Sequence, residues 1–306
     1  MTILILVSGL LLLFLAWLTW AWKKFLDAFQ IELEPNQPMP DLNQVPYETW
    51  HIPTGHSKII RGWMLLQPAD PSAPIVIVAH GWTRNATFLW PISYRLWKEG
   101  YQVFAINARN HGECDLDPPM SVLKYTEDLE NTIHWLRLRF PGNPIAMTGH
   151  SLGGAALLIA SVRVPGVSAA VPICAFSRSD RIFEMDIRRA GVPMIPVGKV
   201  ILALIRRYLG HSYDDLAPAF WVRNSTVPTL LIGAGLDTRV PPDMQYELKA
   251  AFPEGIAYGP VIEPEATHTS LLTDPGTIDR IVRFINRRLK PTDGNPADPL
   301  TDGNGV

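Results

Sequence analysis

The chain has 306 residues, a formal net charge of -2 and 47% apolar residues, which suits one large or two small packed domains. That balance, with no basic block, excludes an electrostatic footprint for nucleic acid. Two cysteines, Cys114 and Cys174, exclude a disulfide framework, and no cluster with metal-ligand spacing occurs.

Residues 3–22 are twenty residues without a charge. At about 1.5 Å per residue, a helix of that length covers the roughly 30 Å hydrocarbon core of a bilayer. Trp17, Trp20 and Trp22 sit at its end, where an aromatic belt would lie, and Lys23 and Lys24 follow. No basic residue precedes the run and no small-x-small cleavage site ends it, which argues against a cleaved signal peptide. The expectation is a single-pass N-terminal transmembrane anchor over residues 1–24, with the membrane as a partner; Lys23 and Lys24 favour a cytoplasmic catalytic domain and leave the opposite orientation open.

Residues 25–46, rich in proline, read as a linker. Residues 47–52 and 62–66 read as two opening strands around a turn at Thr54-Gly55-His56. Residues 75–79 form a β-branched run, as expected of a strand buried on both faces. A helix over 88–99 stops at Gly100, and the next buried strand covers 103–106. A helix over 126–140 precedes a short strand at 145–147 and then Gly149-His150-Ser151-Leu152-Gly153-Gly154. An alanine- and leucine-rich helix runs on to 162, and a strand follows at 169–173. Residues 176–226 break the strand–helix alternation and read as an inserted cap, with a helix near 200–209. Strand 229–233 leads into Gly235-Leu236-Asp237, helix 244–252 follows, and the last strand, 257–262, is followed by His268. A closing amphipathic helix spans 276–289. Residues 291–306, rich in Pro, Asp, Gly and Asn, read as a disordered tail. The domain itself is taken as 47–290. The alternation predicts an α/β fold with a mostly parallel central sheet flanked by helices, and ligand-binding residues at the carboxyl ends of its strands.

Three strand-end loops offer a serine, a carboxylate and a histidine in the order Ser151, Asp237, His268. Gly-x-Ser-x-Gly between a strand and a helix is a nucleophile elbow, in which small residues flank a strained turn that presents the serine hydroxyl. Serine needs a nearby base, and imidazole oriented by a buried carboxylate can serve. Among eight histidines only His268 follows the last strand. Asp237 is the expected acid and Asp180, after the preceding strand, its rival. The backbone N–H groups of Leu152 and Trp82 are the expected oxyanion donors, and Gly81 lets the loop after residue 79 approach closely.

These residues carry a resemblance. His80-Gly81-Trp82, Asn107 to Gly112, the elbow, Gly235-Leu236-Asp237 with Val240-Pro241-Pro242, and His268 resemble the α/β-hydrolase-fold serine hydrolases. More narrowly, they resemble the branch of the monoacylglycerol lipases, lysophospholipases and serine aminopeptidase-like proteins. The resemblance implies a helical cap, no cofactor, and hydrolysis of an ester, thioester or amide through an acyl-enzyme. One loop departs from the family's Asp-x-Arg-Gly-His-Gly-x-Ser: Asn107, Asn110 and Cys114 stand in place of the Asp, the first Gly and the Ser.

The expected function is a membrane-anchored serine hydrolase acting on a carboxylic ester, lipid-derived ones included. The alternatives are a peptidase or amidase, for which the cap carboxylates Glu184 and Asp186 could read an amino terminus, and a non-catalytic scaffold of the same fold. Apolar cap residues, Phe183, Ile187, Met194, Ile195, Ile201 and Ile205 among them, either line an acyl pocket or pack the cap onto the core.

Overall fold

The computed structural model describes residues 2–28, 33–37, 39, 42–54 and 57–290. The expected tail, 291–306, and Gly55-His56 of the expected first turn lie outside the described residues.

Helix α1 (Thr2–Ala28) comes first. Strands β1 (Tyr47–Pro53) and β2 (Ile59–Leu65) form an antiparallel hairpin. Strand β3 (Ile75–Ala79), helix α2 (Trp90–Lys98), strand β4 (Gln102–Asn107), helix α3 (Val122–Arg139), strand β5 (Ile145–His150) and helix α4 (Leu152–Arg163) then alternate. After β6 (Val167–Ile173) come α5 (Ser179–Arg189), α6 (Lys199–Leu209) and the short α7 (Pro218–Trp221). Strand β7 (Thr229–Ala234), α8 (Asp243–Ala251), β8 (Ala257–Glu263) and α9 (Pro275–Leu289) close the domain.

Among the described residues the strands form one sheet in the order β1-β2-β4-β3-β5-β6-β7-β8. β2 runs antiparallel to β4, and every pair from β4 to β8 is parallel. Each crossover between parallel strands carries a helix, so both faces are covered and β3, β4 and β5 are buried along their full length. The alternation of side chains then splits the core into two layers. Ile75, Ile77, Ile145 and Met147 pack with Leu129 and Ile133 of α3 and Leu157 of α4. Val76, Val78 and Ala146 face the other way, towards Leu96 of α2 and Ile281 and Phe284 of α9.

Local chemistry moves several boundaries from their expected places. Ser121, in extended conformation, accepts a hydrogen bond from Lys124 N, so α3 starts at Val122 rather than 126. Asn85 caps a single 3-10 turn, Ala86–Leu89, before α2 begins at Trp90 with Pro91 in its first turn. The segment expected as a cap, between β6 and β7, contains α5, a strongly polar helix, in addition to the expected α6. Of the segment expected as a linker, residues 29–32, 38, 40 and 41 lie outside the described residues, and described ones meet the rest of the chain: Asn85 Nδ2 donates to Glu34 O and Pro35 O at 3.2 Å, and Val45 is buried.

The N-terminal expectation is corrected. Among the described residues no helix is long and apolar enough to cross a membrane, so the single-pass anchor over 3–22, the membrane partner and the membrane localisation do not stand. The physical reason lies in the tryptophans. Trp17 and Trp20 line a cavity of the domain and Trp22 meets Tyr208 of α6 edge-on, with ring centres 6.0 Å apart. The rings expected as an interfacial belt thus meet the rest of the chain.

Candidate active site

Ser151 stands between the last residue of β5 and the first of α4, at φ 53° and ψ -115°. A non-glycine residue at positive φ is costly and is held only by its surroundings. The hold is visible: Ser151 N donates to Ile173 O at 2.9 Å, and Ala155 N donates to Ser151 O at 2.8 Å. The flanking glycines are required by space. A Cβ on Gly149 would lie 2.9 Å from Ala79 O and from a methyl of Leu157; one on Gly153 would lie 2.5 Å from Ala79 O, with His80 O closer still. One on Gly154 would sit 2.8 Å from Gly149 O. Helix α4 can therefore lie against the end of β3, with its N-terminal dipole next to Ser151.

Asp237 follows β7. Its side chain is fully buried; Oδ1 accepts from Arg239 N and Val240 N, both at 2.8 Å, and Oδ2 meets His268 Nδ1 at 2.6 Å. Burial alone would raise its pKa, but the His268 contact and the two backbone donors outweigh burial and hold it below the ordinary carboxylate value. The carboxylate is thus fixed by one oxygen and presents the other to imidazole. Asp180 sits in the first turn of α5 in a two-point pair with Arg178, at 3.0 and 3.1 Å. Of the two candidate acids, the structure brings Asp237 to His268.

Ser151, Leu152 and Trp82 line one cavity of about 590 Å³, within the range of small-molecule sites. Its wall is apolar: Ile182, Phe183 and Ile187 of α5, Ile201 and Leu209 of α6, Met120 and Val122 near α3. Of the cap residues singled out in the sequence, Phe183, Ile187 and Ile201 line it, Ile205 is core, and Ile195 is 79% exposed. Trp17 and Trp20 of α1 also line it. Sequence reasoning assigned them to a membrane interface, and nothing in their local pattern could have placed them over a loop more than one hundred residues away.

Three histidines behind this site fix structure. His80 is fully buried between Gly81 O at 2.8 Å and Ala108 N at 3.2 Å; the amide must donate to Nε2, so Nδ1 carries the proton. His111 places Nδ1 3.0 Å from Arg109 O. His150 Nε2 lies 2.8 Å from His268 O, and its ring centre is 4.5 Å from that of His268. Burial lowers the pKa of all three, to about 4 for His111 and about 3 for His150, where His268 adds to the effect.

The departing loop is explained by its geometry. Asn110 has φ 64°, the left-handed conformation that glycine adopts freely and asparagine tolerates best among other residues. Its side chain accepts from Asp117 N at 2.7 Å and donates to Asp117 O at 3.1 Å. Cys114 donates its S–H to Asn107 O at 2.9 Å and receives Arg61 N at 3.0 Å, the bonds a serine hydroxyl could also make. Asn107 Oδ1 accepts from Ala86 N at 2.6 Å. Between them Arg109, completely buried, pairs with Asp128 at 2.6 Å and with Asp117 and Glu127 at 2.9 Å. The loop is thereby locked beside the His80–Trp82 turn.

His150, Cys174 and His268 could bring ligand atoms within 4.8 Å of one another. The donor set fits a metal poorly. Cys174 is a buried thiol whose pKa is pushed well up, by burial first and Asp237 second, and His268 is already engaged with Asp237.

Comparison with known proteins agrees with the fold. The family model described as "Serine aminopeptidase, S33" (Hydrolase_4) matches residues 70–213, a little under half of the chain. Mouse "sn-1-specific diacylglycerol lipase ABHD11" is 26% identical over 141 residues, 45% of this chain and 41% of that protein. The chain thus aligns with well under half the length of that curated relative. An esterase of Pyrococcus furiosus superposes with a TM-score of 0.69 at 18% identity, covering 85% of this chain and 98% of that one. An acylaminoacyl peptidase of Pyrococcus horikoshii does so with a TM-score of 0.63 at 18% identity, over 83% of this chain and 43% of that one. With the strand order and the loops that follow β7 and β8, these likenesses give the chain an α/β-hydrolase fold.

Proposed function

We propose that the chain hydrolyses a carboxylic ester with an apolar acyl group, through an acyl-enzyme on Ser151. His268 removes the Ser151 proton as the hydroxyl attacks the ester carbonyl. Asp237 keeps His268 in the Nδ1–H tautomer and stabilises the imidazolium. The N–H groups of Leu152 and Trp82 receive the oxyanion, a stabilisation worth about 3 to 4 kcal/mol for one such donor. His268 then gives its proton to the leaving alkoxide, and water, deprotonated by the same imidazole, releases the acid. The chemistry uses no cofactor.

The observation that carries this reading is the shared cavity: Ser151 and Leu152 open into a space walled by aliphatic and aromatic side chains. The relatives fit the same class, one described as a diacylglycerol lipase and one as an esterase. The family description names an aminopeptidase, which must hold a free ammonium group. Among the cavity's lining residues the acidic one is Asp186, and it already pairs with Arg239 at 2.7 Å and Arg189 at 3.0 Å. Glu184 is not a lining residue and lies 3.7 Å from Lys199. Ester cleavage is therefore favoured over aminopeptidase action. The test is a panel of p-nitrophenyl esters beside aminoacyl p-nitroanilides, with Ser151→Ala as control. Turnover of the esters alone, abolished in the variant, supports the reading; faster turnover of the anilides contradicts it.

A further inference from the structure

Helix α1 is far from the elbow in sequence, yet two of its tryptophans belong to the site. Trp17 and Trp20 are three residues apart, which puts them on one face of a helix, and both line the cavity holding Ser151. Ile182, Phe183 and Ile187 of α5 line the same cavity. Trp22 meets Tyr208, which ties the same stretch of α1 to α6 of the cap. Trp17 is half-buried and Trp20 is 59% exposed, so the two indoles stand at the mouth of the cavity rather than in a core. An indole there offers a large, rigid apolar face at little cost in side-chain entropy.

We propose that α1 is a wall of the substrate pocket and that Trp17 and Trp20 are specificity-determining residues for the far end of the acyl chain. The inference rests on the reading of Ser151 as the nucleophile. The acyl carbon must sit beside Ser151 and Leu152, so a chain leaving it runs outward between α5 and the tryptophan face of α1. A short acyl group ends before that face; a medium or long one lies against it.

The substrate class is thus a medium- or long-chain acyl ester. Each methylene buried against the wall raises kcat/KM by about fourfold. Kinetics on p-nitrophenyl acetate, butyrate, octanoate and decanoate, kept below their micellar concentrations, test this with Trp17→Ala, Trp20→Ala and the double variant. The wild type should favour decanoate over acetate. The double variant should lose about fifteenfold on decanoate relative to acetate, the equivalent of two methylenes. Trp20→Phe, which keeps a ring at this exposed position without touching a core, should keep most of the preference. Leu12→Ala with Leu13→Ala, on the exposed part of α1, should leave the profile unchanged. An unaltered decanoate-to-acetate ratio in the double variant, or an equal loss on both esters, overturns the proposal. Fluorophosphonate labelling of each variant separates the two failures. Labelling with an unaltered ratio sinks the wall alone, whereas no labelling of folded wild type sinks the Ser151 reading and this one with it.

Discussion

Gly153→Ala tests the elbow's geometry with a single methyl group. The added Cβ would lie 2.5 Å from Ala79 O and 2.8 Å from the Ala79 carbonyl carbon, both backbone atoms of a buried strand end. Ordinary contact begins near 3.4 Å, so α4 and β3 must separate by about 0.9 Å or more. Ser151 immediately precedes α4 and moves with it. A misplacement on the order of 1 Å costs about 100-fold in rate, or roughly 2.7 kcal/mol of barrier. Stability changes less, because helix propensity gains about 1 kcal/mol while overpacking costs about 1 to 3 kcal/mol. The assay is the second-order rate of fluorophosphonate labelling together with Tm. The control is Gly142→Ala, whose Cβ meets nothing within 4 Å. A Gly153→Ala protein that labels as fast as wild type, with an unchanged Tm, would refute the argument.

Asp237→Asn keeps the size of the side chain but removes the charge that holds His268, and turnover should fall by a factor on the order of 10³ to 10⁴. Asp180→Asn, which breaks only the pair with Arg178, should stay close to wild type; the reverse ranking would move the acid to Asp180. The buried imidazoles predict acid sensitivity. Their folded pKa values lie below the ordinary value, so the unfolded chain takes protons first and stability declines as pH drops from about 6.5 towards 4, by about 1.4 kcal/mol per pH unit for each such group. Thermal melts from pH 7.5 to 4.5 should show this loss, with a shallower slope in His111→Asn, and a flat profile would contradict it. Asp128→Asn leaves the Arg109 guanidinium buried with weaker compensation and should cost about 3 to 5 kcal/mol. A Tm within a degree or two of wild type would show that Asp117 and Glu127 suffice.

Much of this was legible in short stretches of sequence, and the pattern of what was not is physical. The elbow reads from five residues because its constraint is local: Gly149 and Gly153 both face the end of β3, and only hydrogen fits. The buried strands read as β-branched runs because helices cover both faces. Boundaries at α2 and α3 shifted because caps at Asn85 and Ser121 act over two or three residues, beneath the resolution of hydrophobic periodicity. Asp237 and Asp180 looked alike as loop carboxylates; Arg178 beside one and Val240 N and His268 on the other distinguish them, and those pairings come from the folded chain. The role of α1 was misread for a similar reason. A tryptophan-rich apolar helix carries the same letters whether it faces lipid or the mouth of a cavity.

The most direct test of the central claim is fluorophosphonate labelling of the purified full chain, wild type beside Ser151→Ala, with the adduct located by peptide mass spectrometry. The account predicts stoichiometric labelling on Ser151 in the wild type and none in the folded variant. A folded wild type that does not label, or a label on a different serine, would contradict it.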